Sequence, residues 1–123
     1  MKNEQILKFI NQINNGTGIG KLTNSDLNGN GKLKLKVHNL IQKVKNSDAA
    51  KSIVEYQQEL ANKIQNKELS EQEANRQFFE ALEEESELEV EPIQIDVDKE
   101  LPFEFTSNDM NECVDVVEFV DNS

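Results

Sequence analysis

Hydrophobic residues in the first half of the chain recur at helical spacing. In residues 4–14 they lie three and four positions apart, which predicts a short amphipathic helix that ends at Asn14-Asn15-Gly16. A longer helical pattern covers residues 33–66, and its two apolar stripes fall slightly out of phase near Ser47. This offset predicts either one bent helix or a second helix capped by Ser47. A short strand is the alternative over residues 33–37, where apolar residues alternate with lysines.

A capping signal opens the next predicted helix. In Ser70-Glu71-Gln72-Glu73, the serine hydroxyl is placed to accept a hydrogen bond from the Glu73 amide, and the Glu73 carboxylate can reach back. The helix that follows carries its apolar residues on one face and ends near Glu85. We expect it to pair with the helix over 33–66 as a long antiparallel hairpin.

Beyond this helix the hydrophobic period changes to two, which is typical of strands. Residues 93–97 alternate apolar and polar side chains, a turn follows at 98–100, and the alternation resumes over 101–105. The pattern predicts a two-stranded antiparallel unit that needs a helix over its apolar face. Thr106-Ser107-Asn108-Asp109 then signals a last amphipathic helix. The apolar residues of this helix are Met110, Cys113, Val114, Val117 and Val120.

Together these elements predict an α+β fold that is mostly helical. It consists of a long helical hairpin, a small two-stranded antiparallel unit and a C-terminal helix. The 123 residues suit a single domain, 1–123, with a flexible Gly/Asn-rich loop over residues 15–32. Hydrophobic residues make up 36% of the chain, so we expect a thin core. We also expect one apolar stripe of the helices to remain outside this core. This favours a homo-oligomer or a stable partner.

Charge is divided unevenly along the chain, whose net charge is −11. Residues 1–67 contain 11 lysines and five acidic residues and carry +6, whereas residues 68–123 contain two basic and 19 acidic residues and carry −17. We expect the two halves to contact each other, within one chain or between copies.

The compartment follows from features that the sequence lacks. No apolar run of about 18 residues is present, so we expect no contact with a membrane. The N-terminal residues lack the apolar region of a signal peptide. The single cysteine, Cys113, cannot form an internal disulfide and fits a reducing compartment. The sequence therefore predicts a cytoplasmic protein.

Residues 26–33 resemble the first eight positions of an EF-hand or dockerin calcium loop. Asp26, Asn28 and Asn30 stand where such a loop places its first three oxygen ligands. The twelfth position, which supplies a bidentate acid, is Val37. We therefore predict an Asn/Gly turn and no metal site.

Two segments could hold an anion. Gly16-Thr17-Gly18-Ile19-Gly20-Lys21 is similar to a phosphate loop, but its flanking residues depart from the Walker motif and it follows a helix. Lys32, Lys34 and Lys36 form a basic cluster that could bind an anionic ligand. Nucleic acid is disfavoured as a partner, because neither arginine nor aromatic residues accompany these lysines.

The acidic run from Glu80 to Glu91 is the surface that we expect to bind a protein partner. Its charge would steer a basic protein, and apolar residues beside it would hold the complex. The predicted partner-binding residues are Phe79, Glu83, Glu84, Glu87, Leu88 and Val90.

Catalytic chemistry has few candidates in this chain. His38, the one histidine, lies beside an apolar stripe, and Cys113 lies at a core position of the last predicted helix. No pattern marks a dry pocket that would separate the pKa values of two carboxyl groups, and zinc ligands are too few. We predict a protein that is not an enzyme and binds no cofactor.

The order of the predicted segments along the chain is similar to that of a known group of proteins. A short helix over 4–14 precedes Leu33-Lys34-Leu35-Lys36-Val37 and a long Glu/Gln-rich helix, after which come Phe78-Phe79-Glu80-Ala81-Leu82 and Leu88-Glu89-Val90-Glu91-Pro92-Ile93. A helix from Thr106-Ser107-Asn108-Asp109-Met110 closes the chain. This order resembles a family of small uncharacterised proteins encoded by tailed bacteriophages and prophages. The resemblance runs from about Gln5 to Phe119 except for residues 15–32. It implies a phage accessory role and transfers no site residues.

The function expected from these observations is binding. We predict a non-enzymatic phage-type accessory or counter-defence protein that binds and blocks a protein partner, as an oligomer in the host cytoplasm. One alternative is a structural virion or assembly component. Another is an oligomeric sponge that holds an anionic nucleotide with Lys32, Lys34 and Lys36 or with the glycine-rich loop.

Overall fold

A computed structural model describes residues 1–97, 99–100 and 105–120, and within these residues the chain forms six α-helices and two short strands. In chain order they are α1 (Asn3–Asn15), α2 (Ile19–Asn24), α3 (Gly31–Lys45), α4 (Asp48–Gln65), α5 (Glu71–Glu83), β1 (Ile93–Asp96), α6 (Ser107–Glu112) and β2 (Val117–Val120).

The first helix agrees with its hydrophobic pattern. α1 buries Ile6 and Phe9 and is stopped by Gly16, whose φ of 68° is the left-handed conformation that favours glycine. α1 packs against α2, α4 and α5 and thereby forms the centre of the helical layer. The prediction of a helix over residues 4–14 is confirmed.

The segment over 33–66 is two helices. The Ser47 hydroxyl accepts a hydrogen bond from the Ala50 amide at 3.1 Å and starts α4, so the second of the two predicted alternatives is correct. Residues 33–37 are helical, because the Asn30 side chain caps α3 by accepting from the Leu33 amide at 3.1 Å.

A hairpin of α4 and α5 is present as predicted, but it is shorter than expected because α3 is a separate helix. The rings of Tyr56 and Phe78 lie 6.4 Å apart across it. Ser70 caps α5 by accepting from the Glu73 amide at 3.1 Å, as predicted from the capping signal.

Residues 15–32, which the sequence predicts as a Gly/Asn-rich loop, are partly helical in the structure. They contain α2 and a 3-10 turn over Leu27–Gly29, and they contribute three aliphatic side chains, Ile19, Leu22 and Leu27, to the main core. Three apolar residues separated by polar ones gave too weak a periodic signal to predict this helix. Their burial depends on contacts with α1 and α3.

The predicted antiparallel unit is wrong, because the two strands are parallel. β1 pairs with β2 in a register that places Ile93 opposite Val117 and Ile95 opposite Phe119. Parallel strands need a long crossover, and the chain between β1 and β2 supplies it with α6. The expected second strand at 101–105 falls mostly outside the described residues; Phe105 is described, is buried and packs its ring 6.0 Å from that of Phe119.

The predicted C-terminal helix is also corrected. α6 begins at the Thr106 capping box but ends at Glu112, and Val117–Val120 is a strand rather than a helix. Val117 is β-branched and buried, which suits a strand whose inner side chains meet the core. The fold is therefore a helical layer closed by a two-stranded parallel ribbon.

Candidate functional site

A groove with a volume of about 790 Å³ lies between α4, the end of α5 and residues 84–88. We call it the acidic groove. Its apolar part is formed by Ile53, Tyr56, Ala81 and Leu88. Its carboxylates belong to Asp48, Glu80, Glu84, Glu85 and Glu87. None of its described lining residues is Lys, Arg or His.

The rim of the acidic groove is held in place by the start of the chain. The Asn3 amide donates to the Glu84 carbonyl oxygen at 3.0 Å, and the Ser86 amide donates to the Met1 carbonyl oxygen at 2.9 Å. The Met1 amino group donates to the Leu88 carbonyl oxygen at 2.6 Å. Residues 84–88 have no helix or strand of their own, so these hydrogen bonds hold the backbone that carries Glu84, Glu85 and Glu87.

Only part of the negative charge in the groove is neutralised. Glu80 pairs with Arg76 at 2.6 Å, and Glu85 lies 3.7 Å from the Met1 amino group. The other three carboxylates, those of Asp48, Glu84 and Glu87, form no ion pair with any residue that the structure describes. The groove therefore carries a negative potential over an apolar floor.

The predicted partner-binding residues are divided among three surfaces. Glu84, Glu87 and Leu88 line the acidic groove. Phe79 and Glu83 lie together on the outer face of α5, where Phe79 is 68% exposed. Val90 lines a second groove, between α3 and residues 89–94.

Sequence reasoning missed the α4 side of the acidic groove. Nothing in the local sequence marks Asp48 or Tyr56 as a binding residue. Asp48 resembles an ordinary acidic residue at the start of a helix, and Tyr56 resembles an aromatic residue of the core. They reach Glu84 and Glu87 only because the hairpin folds α4 back against α5. The groove could not have been predicted from spacing.

The predicted anion-binding lysines are exposed on the first turns of α3. Lys32 and Lys36 are four residues apart and share one side of the helix. Lys34 points to a different side, and the exposed Leu35 lies between the two sides. None of the three forms an ion pair with a described residue. Lys36 also lines the second groove, opposite Glu89 and Glu91.

The glycine-rich loop already holds an anion, the carboxylate of Asp109. The Gly18 amide donates to Asp109 Oδ1 at 3.0 Å, and Lys21 Nζ lies 2.7 Å from Asp109 Oδ2. The neighbouring Ile19 amide donates to the side chain of Gln12 at 3.0 Å. Because these donors are used inside the fold, the loop has no amide cradle to offer a phosphate.

In the calcium-like segment, side-chain oxygens of Asp26 and Asn30 accept hydrogen bonds from nearby backbone amides. Asp26 accepts from the Asn28 amide at 3.1 Å, and Asn28 has a left-handed φ of 57°, which agrees with the predicted Asn/Gly turn. The Asn30 side chain caps α3. Val37 is buried, so the twelfth position of the loop lies in the core.

The two catalytic candidates have different surroundings. His38 is exposed on α3, whereas Cys113 is 1% exposed, and its thiol donates to the Asp109 carbonyl oxygen at 3.1 Å. Burial, together with the charges of Asp109 and Glu112, raises the pKa of the Cys113 thiol to about 12. The thiol is therefore protonated near neutral pH and is a poor nucleophile.

Comparisons with known proteins add no relative. No protein-family model, no curated protein and no solved structure matches the chain. Among the described residues, no helix is both long and apolar enough to cross a membrane.

Proposed function

We propose that this protein is a non-enzymatic binding protein that holds a basic segment of a protein partner in the acidic groove and thereby blocks that partner. The observation that carries the proposal is the groove itself, in which three unpaired carboxylates surround an apolar floor. Such a surface attracts a segment that combines Lys or Arg with aliphatic side chains, because charge steers the encounter and buried apolar contacts hold it.

The resemblance to phage and prophage accessory proteins supports a blocking role in the host cytoplasm. A small binding protein can inhibit a larger one by covering its basic surface, and it needs no catalytic group to do so. The alternative function, a nucleotide sponge, would have to bind its ligand with the lysines of α3 alone. The glycine-rich loop cannot contribute, because its amides donate to Asp109 and Gln12.

The proposal is tested with a defined probe, a short fluorescent peptide of lysine and leucine. We expect it to bind the wild type and to bind the double variant Glu84→Lys/Glu87→Lys at least tenfold more weakly. The matched control is Glu68→Lys/Glu71→Lys, which changes the net charge equally but lies outside the groove. A peptide of glutamine and leucine should bind none of the three proteins.

A second measurement separates the groove from the outer face of α5. Phe79→Ala removes an exposed ring that does not line the acidic groove, so it should leave peptide binding unchanged. Equal binding of the peptide to the wild type and to both double variants would show that the groove is not the site. The same variants can then be used to capture the partner from a host lysate.

A further inference from the structure

A second surface of the same chain has the properties that the acidic groove selects. On α3, Leu35 is 59% exposed, although the other aliphatic residues of this helix are buried. Lys32 and Lys36 lie along one side of Leu35, and Lys34 lies along the other. We call these four residues the α3 outer face.

The α3 outer face is complementary to the acidic groove in both charge and polarity. It presents one aliphatic side chain with ammonium groups on both sides, none of which pairs with a described residue. The groove presents an apolar floor with Asp48 on the α4 side and Glu84 and Glu87 on the opposite side. An exposed helix face that enters a groove in this way is a common mode of recognition.

We infer that the acidic groove of one copy of this protein binds the α3 outer face of a second copy. Leu35 enters the groove beside Tyr56 and Leu88, and the flanking lysines pair with Glu84, Glu87 and Asp48. This inference rests on the proposed function, since it names a basic segment that is always available to the groove. A second copy and an outside partner then compete for one site.

The contact is heterologous, because the two surfaces are different patches of one chain. A pair of copies therefore keeps one free groove and one free α3 outer face, and the assembly grows head to tail unless it closes into a ring. A single aliphatic anchor and exposed ion pairs make a small interface, so the association is weak and depends on protein concentration.

The test uses two double variants that each remove one side of the contact. Glu84→Lys/Glu87→Lys reverses the groove, and Lys32→Glu/Lys36→Glu reverses the α3 outer face. All four side chains are exposed, so both variants should fold, which circular dichroism verifies. By sedimentation velocity the wild type should associate with increasing concentration, and each variant alone should stay monomeric.

The decisive sample is the equimolar mixture of the two variants. The groove of one variant and the α3 outer face of the other are intact, and the two reversed surfaces are complementary to each other in charge. The mixture should therefore associate again, although neither variant associates alone. Leu35→Ala should weaken wild-type association at least tenfold. Val114→Ala, which removes a comparably exposed aliphatic side chain outside both surfaces, should leave it unchanged.

The outcomes separate this inference from the proposed function. A wild type that stays monomeric at millimolar concentration, or a mixture that stays monomeric, overturns the inference. The inference is also overturned if both variants associate as strongly as the wild type. If the lysine–leucine peptide still binds the groove in those cases, the proposed function stands without the second copy. If the peptide also fails to bind, both proposals are wrong.

Discussion

Lys21 Nζ lies 2.7 Å from Asp109 Oδ2, and this ion pair joins the basic first half of the chain to the acidic second half. Asp109 also accepts hydrogen bonds from the amides of Gly18 and Thr106 and from the Thr106 hydroxyl. One buried carboxylate thereby fastens the glycine-rich loop to the start of α6. It links the helical layer to α6, the helix that connects the two strands.

Replacing Asp109 by Asn should destabilise the fold by about 2–4 kcal/mol, because the change removes a buried charge partner and leaves donors without an acceptor. Urea unfolding at neutral pH measures this free energy. Glu73→Gln is the control, since Glu73 pairs with Arg76 on an exposed surface and should matter much less. Equal stability of Asp109→Asn and the wild type would refute the fastening role.

The stability contributed by Asp109 should depend on pH. Burial by itself raises the pKa of Asp109, but hydrogen bonds from Lys21, Thr106 and Gly18 outweigh it and hold the pKa well below the usual value. A carboxyl whose folded pKa is lowered stabilises the fold fully above its unfolded pKa of about 3.9, and this stability is lost as the pH falls through the folded pKa.

The measurement is the difference in unfolding free energy between the wild type and Asp109→Asn, followed from neutral pH into the acid range. The difference should be constant above pH of about 5 and should shrink below pH of about 4. The Arg76 hydrogen bond lowers the pKa of Glu73 to about 2, so Glu73 also contributes stability that is lost in acid. This contribution is the same in both proteins and cancels from the difference. A difference that does not change with pH would contradict the assignment to Asp109.

Gly20 should not tolerate a side chain. A Cβ atom at this position would lie 2.4 Å from the carbonyl oxygen of Gln12, where α2 crosses close to α1. Gly20→Ala should therefore cost about 1–3 kcal/mol through overpacking. Gly31→Ala is the matched control, because no atom lies within 4 Å of its Cβ, and helix entropy should make it neutral or slightly stabilising. Thermal unfolding of both variants distinguishes the two sites.

Cys113 should be inert toward thiol reagents while the protein is folded. With a pKa raised to about 12 by burial, only about 10⁻⁴ of the thiol is ionised at pH 8, and the sulfur is not accessible. Labelling with a chromogenic disulfide should be slow in buffer and fast in concentrated urea. Fast labelling of the native protein would mean that α6 opens readily.

The sequence alone determined the features that depend on neighbouring residues. The apolar spacing of α1 and the capping residues Ser47, Ser70 and Thr106 act within one turn of a helix, so a short stretch of sequence contains all the atoms involved. The left-handed turn at Asn28 is local in the same way.

Only the tertiary structure decided the features that depend on distant partners. Val117–Val120 has apolar residues that fit a helix or a strand, and its pairing with Ile93–Asp96 selects the strand and makes the ribbon parallel. α2 is a helix because Ile19 and Leu22 find a core formed by other elements. The acidic groove likewise exists only where the hairpin brings α4 beside residues 84–88, since carboxylates on separate segments share a field only after the chain has folded.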